Sequence, residues 1–199
     1  MKYNHKAAMN SLRGRQNRKE GEFFEELIDA ACAVYKSNHL ADIEKTPEPM
    51  KILRRMEEGK FVACFKKSAQ PDYKGTLMGG RSICFDAKST CTGKIPVSAL
   101  TDEQIDSLTE HTLLGALTGV LCCYDFNTFA FIPFDIFMKA KELNGHKHWT
   151  VGETEKYRVS IKNGYLDFLD SMLVHACAME LEQYLKEVLT EEYTNERKF

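Results

Sequence analysis

Within Gln70–Lys88, QPDYKGTLMGGRSICFDAK, two acids and a lysine stand at a spacing that could hold a divalent metal against a phosphate. Ser82–Lys88 reads as a buried strand, with Gly75, Gly79 and Gly80 as turn residues before it. Alternation in a strand puts Cys84, Asp86 and Lys88 on one face, and Ile83, Phe85 and Ala87 on the other. A hairpin would fold Asp72 back beside Asp86. Hard carboxylate oxygens bind Mg²⁺, which keeps waters and substrate phosphates in its remaining positions. Such an ion polarises a phosphodiester and acidifies a bound water. Lys88 could orient that water or stabilise charge developing on phosphorus. The competing reading is an exposed hairpin in which Asp72 caps a turn while Asp86 and Lys88 are solvated. The apolar run Ile83, Cys84 and Phe85 weighs against it, because it suggests a central strand where charges need a reason to be.

What must position these groups is a sheet with helices packed on it. Glu22 to about Asn38 has Phe23, Phe24, Leu27, Ile28, Ala31 and Val34 at helical spacing, with Glu25 and Glu26 at the edge of that stripe. A short strand is expected near Ala41–Lys45. Pro47 and Pro49 then break the sheet pattern and open a projecting arm or helix over about 46–60, rich in Lys51, Arg54, Arg55 and Lys60. Phe61–Phe65 resumes as a strand leading into the Asp72 hairpin. After Lys88, STCTGKIPVSAL is loop-like. Thr101–Leu117 reads as a helix capped by Thr101, with Glu103 and Gln104 in its first turn and Ile105, Leu108 and Leu113 facing inward. Val120–Tyr124 and Thr128–Pro133 are apolar strands joined by Asp125-Phe126-Asn127. Phe134–Leu143 is a helix ending at Asn144-Gly145. His146 and His148 form an H-x-H without an evident third ligand, a weak metal signal. Arg158–Ile161 is a short strand, and Tyr165–Thr190 a long amphipathic helix with an acidic tail, suited to packing or dimerisation.

Length and absence of repeats fit one domain over 21–199. Residues 1–19 carry six basic residues and no acid, so 1–20 is expected to be a flexible basic arm. It could lie along a phosphate backbone or serve only as a solubilising tail. No apolar run approaches the roughly 20 residues of a membrane span, and no signal-peptide core is evident. The seven cysteines include no C-x-x-C pair, which argues for reduced core thiols in a cytoplasmic protein rather than a zinc or disulfide framework.

The order helix, strand, strand hairpin with D…D-x-K, helix, strand, strand resembles the PD-(D/E)xK nuclease core. Pro71-Asp72 and Asp86-Ala87-Lys88 match that signature. More specifically, about Arg13 to Leu169 resembles the RecU family of Holliday-junction resolvases. NRKEGEFFEELI at the first helix, KTPEPMKI at the arm, QPDYKG and FDAK at the centre and EQID at the next helix carry the likeness. It departs from the family in having Asp86 where glutamate is usual and Gln70 where a hydroxyl residue is frequent. It also has an apparent two-residue insertion in Asn17-Arg18-Lys19-Glu20-Gly21.

The resemblance implies an α/β fold with a restriction-endonuclease-like core, a mixed β-sheet flanked by helices, and a projecting stalk between the first two strands. It implies metal-dependent, structure-selective DNA cleavage in recombination and repair, leaving 5′-phosphate ends. By it, Asp72, Asp86 and Gln104 are metal ligands for Mg²⁺, with Mn²⁺ as the alternative. Lys88 stabilises the transition state, and Glu25 is an acid facing the site. Expected phosphate contacts are Arg13, Arg15 and Arg18 of the arm, Lys51, Arg54, Arg55 and Lys60 of the stalk, and Lys74 and Lys94. Four-way DNA junctions, a second copy of the chain and a RecA-type recombinase are the implied partners. Two rivals stay open: a non-catalytic junction-binding or recombinase-modulating protein on this fold, and a restriction-like nuclease with another DNA substrate.

Overall fold

The structure is a computed structural model that describes residues 5–47, 50–65 and 70–174, with side chains from residue 19 onward except those of Glu20 and Phe65. Helix α1 (His5–Ser37) comes first. It starts well before the expected Glu22, so the stretch anticipated as a separate basic arm is helical from His5 and continuous with the core helix. Ala7, Ala8, Met9, Leu12 and the long charged side chains are good helix formers. An apolar stripe is needed for packing, not for the backbone to remain helical, and the expectation had relied on that stripe alone.

Strands β1 (Ala41–Lys45), β4 (Tyr73–Leu77) and β5 (Ser82–Thr90) form one half of the central sheet. β7 (Leu117–Tyr124), β8 (Thr128–Pro133) and β10 (Arg158–Val159) form the other. The order is β1-β4-β5-β7-β8-β10. β5 and β7 run parallel, joined through α2 (Asp102–Leu113), and the other neighbours are antiparallel. The expected mixed sheet flanked by helices is therefore observed.

Alternation divides β5 between two cores. Ile83 and Phe85 pack with Phe24, Ile28 and Tyr35 of α1 and with Phe168 and Leu169. Cys84 packs on the opposite side with Leu108 of α2, Phe134, Phe137 and Trp149. Gly75 is not a turn residue but lies inside β4, where a Cβ would run into the carbonyl of Asp42 and the Cα of Ile43 on β1. Gly79 and Gly80, both at positive φ, do make the turn.

Of the arm or helix expected between β1 and β4, the structure has the arm, built as a β-ribbon. β2 (Met50–Arg55) and β3 (Phe61–Phe65) pair with each other as a separate two-stranded sheet, with a register shift between Ile52 and Arg54. Phe61–Phe65 thus belongs to the stalk and not to the sheet that carries Asp72.

Other boundaries differ for local reasons. α2 ends at Leu113, which is 77% exposed, and Leu117 opens β7. The expected helix over Phe134–Leu143 is divided into α3 (Phe134–Met138) and α4 (Ala140–Asn144), closed by Gly145 in the left-handed region. Within the stretch after Lys88 read as loop, β6 (Lys94–Pro96) forms and pairs with β9 (His148–Thr150), where no element was expected. β11 (Ile161–Lys162) pairs with β12 (Tyr165–Leu166), so the last helix begins at residue 168 rather than Tyr165. Its expected course beyond 174 lies outside the described residues.

Candidate active site

Asp86 sits in the middle of β5, opposite Val120 of the parallel strand, and is fully buried. A carboxylate in that position has left water and needs compensation from nearby groups. Asp72 is brought to it by the end of the β4–β5 pairing. The last paired residues are Tyr73 and Phe85, and one step further the Asp72 Oδ2 accepts the Ala87 N–H at 3.0 Å. The backbone of Asp72 is fixed from the other side, where its carbonyl accepts Thr46 N–H at 2.8 Å.

Lys88, two residues along the same face, places its Nζ 3.2 Å from Asp86 Oδ1 and 3.6 Å from Asp72 Oδ2. The expected convergence of Asp72, Asp86 and Lys88 is present. Gln104 joins them from the first turn of α2, where its Nε2 donates to Asp86 Oδ1. Its Oε1 accepts Thr101 N–H, while Thr101 Oγ1 accepts Gln104 N–H, each at 3.2 Å. This is a reciprocal capping box, legible in the sequence as Thr101-Asp102-Glu103-Gln104.

The two oxygens of Asp86 are treated differently. Lys88 and Gln104 both fall on Oδ1, whereas Oδ2 is buried and has no hydrogen-bond partner among the described residues. Burial, then the neighbouring charge of Asp72, push the Asp86 carboxyl up to about 7 against the opposing pull of Lys88. Excess negative potential beside a bare carboxylate oxygen is what a cation would relieve. Among the described residues no three or more His, Cys, Asp or Glu side chains converge as a metal cage. A cation here would rest on two carboxylates and one amide, which suits Mg²⁺ better than a metal needing a closed protein shell.

The remaining expected site residues are dispersed. Glu25 pairs with Lys45 at the end of β1, at 2.7 Å. One turn further along α1, Asp29 accepts a hydrogen bond from buried Tyr73 at 3.1 Å, a link from α1 to the residue after Asp72 that the sequence reading missed. Lys51, Arg54 and Arg55 are exposed on β2, and Lys60 pairs with Glu58 in the ribbon turn. Lys74 reaches Gln70 at 3.4 Å, and Lys94 is exposed at the start of β6. The side chains of Arg13, Arg15 and Arg18 lie outside those described. His146 and His148 stack with ring centroids 3.7 Å apart, and His146 Nε2 lies 3.0 Å from Glu153.

A family model described as Recombination protein U, RecU, matches residues 19–174. Curated relatives described as "Holliday junction resolvase RecU" are similar over most of the chain. One from Streptococcus pneumoniae (strain CGSP14) is 29% identical over 152 residues, 72% of this chain and 76% of its own. One from Bacillus subtilis (strain 168) is 28% identical over 159 residues, 75% and 76%. One from Listeria monocytogenes serotype 4a (strain HCC23) is 27% identical over 167 residues, 77% and 83%. A solved structure of Hjc, a Holliday junction resolvase from Archaeoglobus fulgidus, aligns with 56% of this chain and 77% of its own at 12% identity. Its TM-score of 0.37 is too low to bear on function.

Proposed function

The chain belongs to the Recombination protein U (RecU) family, and on that premise we propose that it is a divalent-metal-dependent Holliday junction resolvase acting in recombination and repair. The observation that carries the reading is the buried, unpartnered Asp86 Oδ2 next to Asp72, with the Lys88 ammonium within 4 Å of both carboxylates.

Asp72 and Asp86 would hold Mg²⁺, or Mn²⁺ in its place, with Gln104 as a further ligand. The ion, when bound, supplies Lewis-acid polarisation of the scissile phosphate and lowers the pKa of water. Lys88 keeps a fixed positive charge beside the carboxylates, where it stabilises charge developing on a phosphate brought against them. The Ala87 N–H bond holds Asp72 in place, so the two acids need little reorganisation when substrate arrives. Glu25 sits one helix turn from the Asp29–Tyr73 link and acts on the site through Lys45 and the end of β1. This leaves the metal-site chemistry to Asp72, Asp86, Gln104 and Lys88.

The exposed Lys51, Arg54 and Arg55 of the ribbon, together with Lys60, Lys74, Lys94 and the α1 arginines Arg13, Arg15 and Arg18, would contact phosphates. They fix the junction's position without reading its sequence. A homodimer would set two such sites against opposite strands of a two-fold-symmetric junction. Contact with a RecA-type recombinase and a cytoplasmic location complete the proposal.

The test is cleavage of a synthetic four-way junction by the parent, Lys88→Ala and Asp72→Asn. Both variants are expected to bind the junction and fail to cut it. A parent inactive with every divalent metal, or one that cuts linear duplex as well as junctions, overturns the assignment.

A further inference from the structure

The Gln104 carboxamide presents the wrong end to Asp86 for a site that takes a cation. Its Nε2 donates to Asp86 Oδ1, so the end of the amide with partial positive charge faces the carboxylates. A divalent ion bound there would repel that NH₂ group, and a carboxamide can join such an ion only through its oxygen. That oxygen is committed elsewhere, because Gln104 Oε1 accepts Thr101 N–H at 3.2 Å. The amide orientation is thus set by the helix cap. Gln104 is buried, which leaves its side chain few alternatives, while Thr101 is exposed.

We propose that Thr101 is a positioning residue. Through the N-cap of α2 it sets which end of the Gln104 carboxamide faces Asp86, and it thereby couples cation uptake to the first turn of that helix. The inference rests on reading Asp72, Asp86 and Gln104 together as the cation's ligands. In the cation-free chain the cap keeps the NH₂ group on Asp86, where it and Lys88 offset part of the buried charge. Uptake of the ion requires the amide to turn, which breaks the bond between Gln104 Oε1 and Thr101 N–H. The released N–H passes to water at low cost because Thr101 is exposed. The second half of the box, Gln104 N–H to Thr101 Oγ1, need not change, so α2 keeps its start. Cap and cation compete for one oxygen atom.

The experiment is amide hydrogen exchange and NMR on the full chain, with and without saturating Mg²⁺, alongside Mg²⁺ titration by calorimetry. Mg²⁺ is expected to speed exchange of the Thr101 amide by about tenfold and to shift the side-chain NH₂ resonances of Gln104. The Gln104 backbone amide should stay protected. Thr101→Pro removes the N–H at a position whose φ of −77° proline accepts. Proline also removes Oγ1, so the reference is Thr101→Ala, which keeps the N–H and lacks only the hydroxyl. Thr101→Pro is expected to bind Mg²⁺ several-fold more tightly than Thr101→Ala, and Thr101→Ser should match the parent. If the parent binds Mg²⁺ while its Thr101 amide and Gln104 NH₂ group do not respond, the coupling is overturned and the nuclease reading stands. A folded Thr101→Pro that binds no more tightly than Thr101→Ala also overturns it. A parent that takes up no Mg²⁺ overturns both.

Discussion

Asp86 and Glu153 are both carboxylates in polar clusters, and the fold treats them in opposite ways. Glu153 Oε2 accepts the backbone N–H and the hydroxyl of Thr150, each at 2.8 Å, while Oε1 lies 3.0 Å from His146. Burial opposes its charge, yet the Thr150 donors and the two histidines prevail and hold it below the ordinary carboxylate range. Among the described residues Asp86 has donors on one oxygen only and none on the other, and it is displaced upward. The 146–153 corner is finished by folding. The Asp72–Asp86 pocket is left electrostatically incomplete, as the proposed cation site requires and a polar cluster that secures a loop does not.

The largest expected effect comes from Asp86→Asn, which should lower junction cleavage by at least about 10³-fold, measured in single-turnover assays, while the variant remains folded. Next comes the response to metal in thermal unfolding. Mg²⁺ at about 100 times its dissociation constant should stabilise the parent by about 2.7 kcal/mol, and Asp86→Asn should lose that gain. Equal stabilisation of both would break the comparison.

The pH dependence separates the two carboxylates by sign. A group raised in the folded state binds more protons folded than unfolded. The metal-free parent should therefore lose stability through Asp86 as pH rises from about 4 to about 7, by on the order of 4 kcal/mol, then level off. Urea titrations at stepped pH should show this slope vanish in Asp86→Asn. Glu153, lowered when folded, contributes stability above its unfolded value that is lost as pH falls through its folded one. Glu153→Gln is accordingly expected to cost about 1 kcal/mol at neutral pH, flatten the acid limb and leave cleavage unchanged. This is the smallest effect in the series.

The pocket's main members were legible because strand alternation is rigid. A period of two forces Asp86 and Lys88 onto one face, and the Gly79-Gly80 turn returns Asp72 to them. The T-x-x-Q cap could be read, but which end of Gln104 meets Asp86 could not, since that follows from the packing of α2 on β5. In the ribbon, Phe61–Phe65 was legible as a strand, but its partner β2 was not, because strand signals presuppose a buried face and β2 is exposed at every position. The N-terminal half of α1 was missed for the same reason in helical form, having propensity without an apolar stripe. Three-residue strands such as β6 and β9 carry too little pattern to stand out from loop.

The bond from Ala87 N–H to Asp72 Oδ2 makes the proposed metal ligand a fastening of the sheet as well. Unzipping β4 from β5 at that end would carry the first acid away from the second, so local fraying and loss of function become one event. Asparagine at position 72 keeps the acceptor and alanine does not. Comparing the two therefore divides the role proposed for this residue in cleavage from what it does for the sheet.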